Sequence, residues 1–354
     1  MIKMKQFAAI FAATAIAISP LSLCAVEWVV EEKTISVSSG LSKEVHAAMS
    51  AMGAPNLKER RSTQPKDKSE WRQFVTAMEG GMSISEKQLE RTFGVQIEVG
   101  EISGVGVFTV TPPKIDPAFD NSVFVHLHGG GYLLGGGVNA AREAAGIAST
   151  GNIKVISIDY TLSLDGPFPA GMNDVIAVYN ELLKSVPANN IAIGGTSAGG
   201  GLALAAVHRL KALKSPLPGA LFAGTPWADL AATGDTIKTF EGIDNVLGTH
   251  DGFLDGAARL YAGRHDVTNP LISPLYGDFS HFPPTYLVSG TRDMLLSDTV
   301  RVHRRLREAG ATADLNVFEG IPHGGYVMVP GSREFNGAYG GLGDFLKEHL
   351  LISQ

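Results

Sequence analysis

The chain has 354 residues, of which 44% are hydrophobic and 18% charged, with a formal net charge of −6. That composition supports a large buried core and excludes a chain kept disordered by charge, and its acidic balance argues against nucleic acid or anionic lipid as partners. The length suits one large α/β core with an added smaller lobe.

Lys3 and Lys5 precede an uncharged apolar run over 7–18, followed by Ser19-Pro20 and small residues up to Ala25. This pattern predicts a secretory signal peptide over residues 1–25 and hence a periplasmic or secreted protein. The apolar run is too short for a spanning helix, and no later stretch offers about 18 uninterrupted apolar residues, so no stable membrane insertion is expected after cleavage. The single cysteine, Cys24, falls at the end of this segment, which excludes a disulfide within the chain.

Residues 26–94 read as a polar N-terminal lobe, with helical stretches at 41–52 and 70–79 separated by a charged run over 58–68. From residue 95 the pattern changes to apolar runs bounded by Gly, Pro and Asp. Strands are predicted at 95–102 and 105–111, joined by a turn at Ser103-Gly104. Strands at 123–127, 154–158 and 191–194 then alternate with helices at 139–149, 170–184 and 198–213. Further strands follow at 219–223, 285–289 and 313–318, with a helix at 295–309 between the last two. Such alternation builds a parallel sheet covered on both faces. The stretch at about 231–280 interrupts the rhythm and reads as an insertion within a domain spanning 95–354, placed to supply part of a cap.

Gly195-Thr196-Ser197-Ala198-Gly199 fits the G-x-S-x-G turn in which a serine is held on a tight strand-to-helix bend, where flanking glycines remove side chains that would clash. His128-Gly129-Gly130-Gly131 follows an apolar strand about seventy residues earlier, as does a loop whose bare N–H groups face a substrate oxygen. A phosphate-binding loop is disfavoured, since neither glycine cluster completes G-x-G-x-x-G or G-x-x-x-x-G-K-[ST]. His126 and His128 share a strand face, but no third metal ligand accompanies them, so His126 is expected to be structural.

A serine hydroxyl becomes a useful nucleophile only when a neighbouring imidazole takes its proton. His323 stands in Ile321-Pro322-His323-Gly324-Gly325 directly after the 313–318 strand, the place expected of the base in the order Ser, Asp, His. His250, His265, His303 and His349 are poorer candidates by position. Asp293 follows the 285–289 strand and is the expected acid, with Asp298 as fallback.

Together these residues resemble the hormone-sensitive-lipase-like family of bacterial carboxylesterases over about 95–350. The resemblance rests on His128-Gly129-Gly130-Gly131, the turn at Ser197 with Gly199-Gly200, Asp159-Tyr160, Pro167-Phe168-Pro169-Ala170, Pro226-Trp227-Ala228-Asp229-Leu230, Asp293 and His323-Gly324. It implies an α/β-hydrolase fold: a mostly parallel central sheet, helices on both faces, and a helical cap drawn from residues 26–94 and about 231–280. It also implies hydrolysis of small-molecule esters without cofactor or metal, a preference for short acyl groups, and N–H groups of Gly129, Gly130 and Ala198 as oxyanion donors. A homodimer is left open. Thr196 stands where many relatives carry Asp, and Tyr160-Thr161-Leu162-Ser163-Leu164-Asp165 departs from the usual Tyr-Arg-Leu-Ala-Pro-Glu. The alternatives are a non-catalytic binding protein on the same scaffold, and a lipase or lactonase of the same fold.

Overall fold

The computed structural model describes residues 33–62 and 64–350. The expected signal segment, residues 1–25 with Cys24, lies outside them. Eight strands carry the fold: β1 Gln96–Ile102, β2 Val105–Thr111, β3 Val123–Leu127, β4 Val155–Ile158, β5 Ile191–Thr196, β6 Ala220–Gly224, β7 Thr285–Gly290 and β8 Ala313–Phe318. They form one sheet in the order β1-β2-β4-β3-β5-β6-β7-β8. β1 and β2 pair antiparallel, β2 runs antiparallel to β4, and the strands from β4 to β8 are mutually parallel. The expected mostly parallel α/β-hydrolase sheet is therefore present.

The inner strands are apolar at nearly every position because both faces are covered, and each residue of β3, β4, β5, β6 and β7 is buried. Neighbouring side chains along a strand point to opposite faces and feed separate cores. Val125, Ile193, Leu221 and Leu287 join one, against the helices Ala170–Leu182 and Ala198–Leu213. Phe124, Ala192, Phe222 and Val288 join the other, against Ala141–Gly151 and Arg333–His349. At the antiparallel edge the cover is lost, and Val99 of β1 is 66% exposed.

The predicted helices before the sheet run from Lys43 to Met52 and from Lys68 to Met82. The second starts two residues before the apolar pattern because Asp67 caps it, accepting the N–H groups of Ser69 and Glu70, and it runs on to Met82. Two further helices, Leu57–Ser62 and Glu86–Phe93, were not predicted. The first has no buried residue of its own and lies within the charged stretch; Arg60 donates from it to the carbonyls of Asn245 and Val246. Its packing partner is nearly two hundred residues away in sequence, so no local periodicity announced it. The second is marked by a Ser85/Gln88 capping box.

Between β6 and β7 the interruption at 231–280 contains short helices at Thr236–Thr239 and Phe253–Ala262. Phe253 packs against Trp71 and Phe74 of the helix Lys68–Met82, with ring centroids 6.2 and 5.7 Å apart.

Candidate active site

β5 ends at Thr196 and a helix begins at Ala198, so the whole strand-to-helix bend falls on Ser197. Its backbone is left-handed, φ 63° and ψ −123°, a conformation that costs a residue with a side chain on the order of 1–3 kcal/mol. The bend stands hard against β3. A Cβ on Gly195 or Gly199 would collide with the carbonyl oxygen of Leu127, so only glycine fits on either side of the serine.

The loops after β7 and β8 bring two more side chains to this bend. His323 Nε2 lies 2.9 Å from Ser197 Oγ, and His323 Nδ1 lies 3.0 Å from Asp293 Oδ1. Asp293 is fully buried and His323 is 5% exposed, while Ser197 keeps partial access. Burial lowers the His323 pKa, but the charge and hydrogen bond of Asp293, with weaker contributions from Asp244 and Asp298, outweigh it and hold the imidazole above the ordinary histidine value. A neutral His323 with its proton on Nδ1 presents an acceptor to the serine, which is the arrangement needed to draw off the hydroxyl proton.

A cavity of about 390 Å³ opens above Ser197. One side is the loop Gly129, Gly130 and Gly131, and the rest of the wall is largely apolar, with Leu134, Val246, Leu247, Phe253, Leu254, Val327 and Met328, beside the polar Asn139, Arg142 and Glu143. Gly130 has φ 109°, and a Cβ there would run into the backbone of Leu134. Among the described residues, the N–H groups of Gly129, Gly130 and Ala198 donate to no protein acceptor. His128 holds the loop from behind: its ring stacks on Tyr160 at 4.1 Å, its Nδ1 lies 2.8 Å from the Gly129 carbonyl, and its own carbonyl accepts the Tyr160 hydroxyl at 2.7 Å. Burial pushes its pKa down to about 4, so the ring is neutral and Nδ1–H is the donor.

Residues 124–327 match a family described as having the alpha/beta hydrolase fold. A solved esterase structure aligns with a TM-score of 0.89 and 42% identity, over 92% of this chain and 99% of the other. A second, an esterase from the bacterial hormone-sensitive lipase family, gives 0.74 and 32%, over 88% and 99%. An acetyl-hydrolase of Streptomyces hygroscopicus is 31% identical over 64% of this chain and 76% of its own length. The chain belongs to the bacterial hormone-sensitive-lipase family of alpha/beta hydrolases. It is thus a carboxylic ester hydrolase by class, as the sequence motifs led us to expect.

Several partners in the site of this hydrolase were not anticipated. Asp293 is held by Ser289, whose hydroxyl donates to Oδ2 at 2.7 Å, and by the Leu295 N–H at 2.9 Å. Beneath the bend, Thr196 donates to the buried carboxylate of Glu143 and lies 2.7 Å from the Tyr326 hydroxyl. Tyr339 donates to the same carboxylate at 3.0 Å, and His126 meets its other oxygen at 3.1 Å. His126 Nδ1 lies 2.8 Å from Ser157, so both of its ring nitrogens are engaged within the protein. Thr196 therefore ties the serine bend to the loop that carries His323. Asp298 sits elsewhere: it accepts the N–H groups of Ala228 and Asp229, both at 2.9 Å, and burial next to Asp229 raises its pKa to about 8.

Proposed function

We propose that this protein is a serine carboxylesterase that hydrolyses short-chain acyl esters through a covalent acyl-enzyme. The observation that carries this reading is the unbroken hydrogen-bonded chain from Ser197 through His323 to Asp293 at the floor of an apolar cavity. Ser197 Oγ attacks the ester carbonyl as His323 Nε2 takes its proton, and Asp293 keeps the imidazole in the required tautomer. The N–H groups of Gly129, Gly130 and Ala198 receive the charge that develops on the carbonyl oxygen, and they need not first break bonds to the protein. His323 then returns the proton to the leaving alcohol, activates a water on the opposite half-reaction, and the acyl group departs as the acid. This sequence of steps requires no cofactor. Covalent labelling of Ser197 by a fluorophosphonate separates it from a binding protein on the same scaffold: an unlabelled serine would end the esterase reading.

In this reading the N-terminal helices and the stretch at about 231–280 form the cap. Val246, Leu247, Phe253 and Leu254 from that stretch and Met82 from the N-terminal side all line the cavity. The signal-like start of the chain adds that the enzyme is exported, which cell fractionation tests: esterase activity confined to the cytoplasm would exclude it.

Acyl chains of about two to six carbons are expected to be hydrolysed best. Each buried methylene contributes about 0.8 kcal/mol, so kcat/KM should climb with length until the cavity ends and then fall. Phe253, packed in a three-ring cluster with Trp71 and Phe74, supplies the bulk that closes the wall. The acetyl-hydrolase relative supports the same preference. A series of p-nitrophenyl esters checks it, and a value still rising at twelve carbons would point to an open tunnel instead.

The pH dependence follows from His323. The base must be neutral, and its pKa is raised above the usual 6.5, so kcat/KM should increase with pH through one ionisation whose midpoint lies above that value. A midpoint below the ordinary histidine range would contradict the charge environment described for the site.

A further inference from the structure

Asp244 lies in the stretch between β6 and β7, 50 residues before Met294 and 79 before His323, and no sequence motif marks it. Its carboxylate is fully buried and accepts four backbone N–H groups. Oδ1 takes those of Val246 at 2.9 Å and Leu247 at 3.1 Å; Oδ2 takes those of Met294 at 2.9 Å and His323 at 3.3 Å. Three segments that are remote in sequence thus converge on one side chain. Val246 and Leu247 form part of the wall above Ser197 and also of an adjoining cavity of about 400 Å³. Met294 follows Asp293 directly.

We propose that Asp244 is a positioning residue that clamps the pocket wall to the loops carrying Asp293 and His323, so that substrate seating and the geometry of the base are set by one carboxylate. The inference rests on the role given to Ser197, His323 and Asp293 above. Only an acceptor-only group can serve four donors at once, since an amide would turn an N–H₂ toward two of them. The charge matters as well. Asp293, Asp244 and Asp298 are the charged groups that act on His323, and Asp293 and His323 are the ones that act on Asp244. Burial and the nearby Asp293 raise the pKa of Asp244 above the ordinary carboxylate value.

The test is Asp244→Asn in the full chain, assayed on p-nitrophenyl butyrate across pH. The expected result is a kcat lower by about tenfold or more, a higher KM, and an acid limb displaced to lower pH because an anion near His323 has been removed. An unchanged acid limb overturns the proposal, whether or not kcat falls, because a purely structural lesion would leave the ionisation of His323 where it was. If the variant does not fold, hydrogen exchange on the wild-type protein decides. The amides of Val246, Leu247 and Met294 should be protected to a similar degree, and a freely exchanging Met294 beside protected Val246 and Leu247 would rule the clamp out. Fluorophosphonate labelling of Ser197 in the wild type keeps the two readings apart: absent labelling defeats the esterase assignment, while a wild-type pH profile in Asp244→Asn defeats only the clamp.

Discussion

Ser197→Ala and His323→Ala are each expected to lower kcat on a good ester substrate by on the order of 10⁴-fold or more, with little change in folding. Both remove the same event. Without the hydroxyl there is no nucleophile, and without the imidazole 2.9 Å away there is no group to accept the hydroxyl proton. The two losses should therefore not add, and the double variant should resemble either single one. Ser197 lies at a helix start with a left-handed backbone fixed by the glycines around it rather than by its own side chain, so truncation to alanine keeps the bend. Steady-state kinetics with circular dichroism as a folding control checks this. Retention of more than about a tenth of the wild-type kcat by either variant would remove the assignment.

Asp293→Asn is expected to cost about 10³ to 10⁴ in kcat, while Asp298→Asn costs little. Asp293 Oδ1 faces the Nδ1–H of His323, and its other oxygen is committed to Ser289. An amide there can turn its N–H₂ toward the imidazole and stabilise the tautomer that has no acceptor for Ser197. Asp298 makes no contact with His323. Asp298 instead accepts the N–H groups of Ala228 and Asp229, and burial raises its pKa to about 8, so an amide there alters the field at His323 far less than the loss of Asp293 does. Measuring kcat for both variants at one pH tests the ranking, and the reverse order would move the acid to Asp298.

Both variants probe residues that the sequence alone marks as candidates, and the reason is local. A serine bend, a glycine loop and the ends of strands leave short contiguous signatures because each is built by neighbouring residues: Gly195 and Gly199 are required by the approach of β3, and His323 and Asp293 each follow directly on a strand. The same holds for the inner strands, whose apolar runs reflect cover on both faces. What lacked a signature was made by distant partners. Glu143 under Thr196, Ser289 behind Asp293, and the helix Leu57–Ser62 docked through Arg60 are individually ordinary residues or stretches.

By itself, then, the sequence determined the eight strands, the helices Ala141–Gly151, Ala170–Leu182, Ala198–Leu213 and Leu296–Glu308 between them, and which serine, histidine and aspartate were candidates, since these depend on periodicity and on turns written in a few consecutive residues, while the hydrolase class followed from the family those motifs resemble. Only the tertiary structure decided that Asp293 rather than Asp298 meets His323, that Phe253 borders the cavity, and that Asp244 joins the pocket wall to both loops. The physical reason is that a hydrogen bond or a wall contact depends on positions in space to within a fraction of an ångström, and those positions are set by how the whole sheet and its covering helices pack.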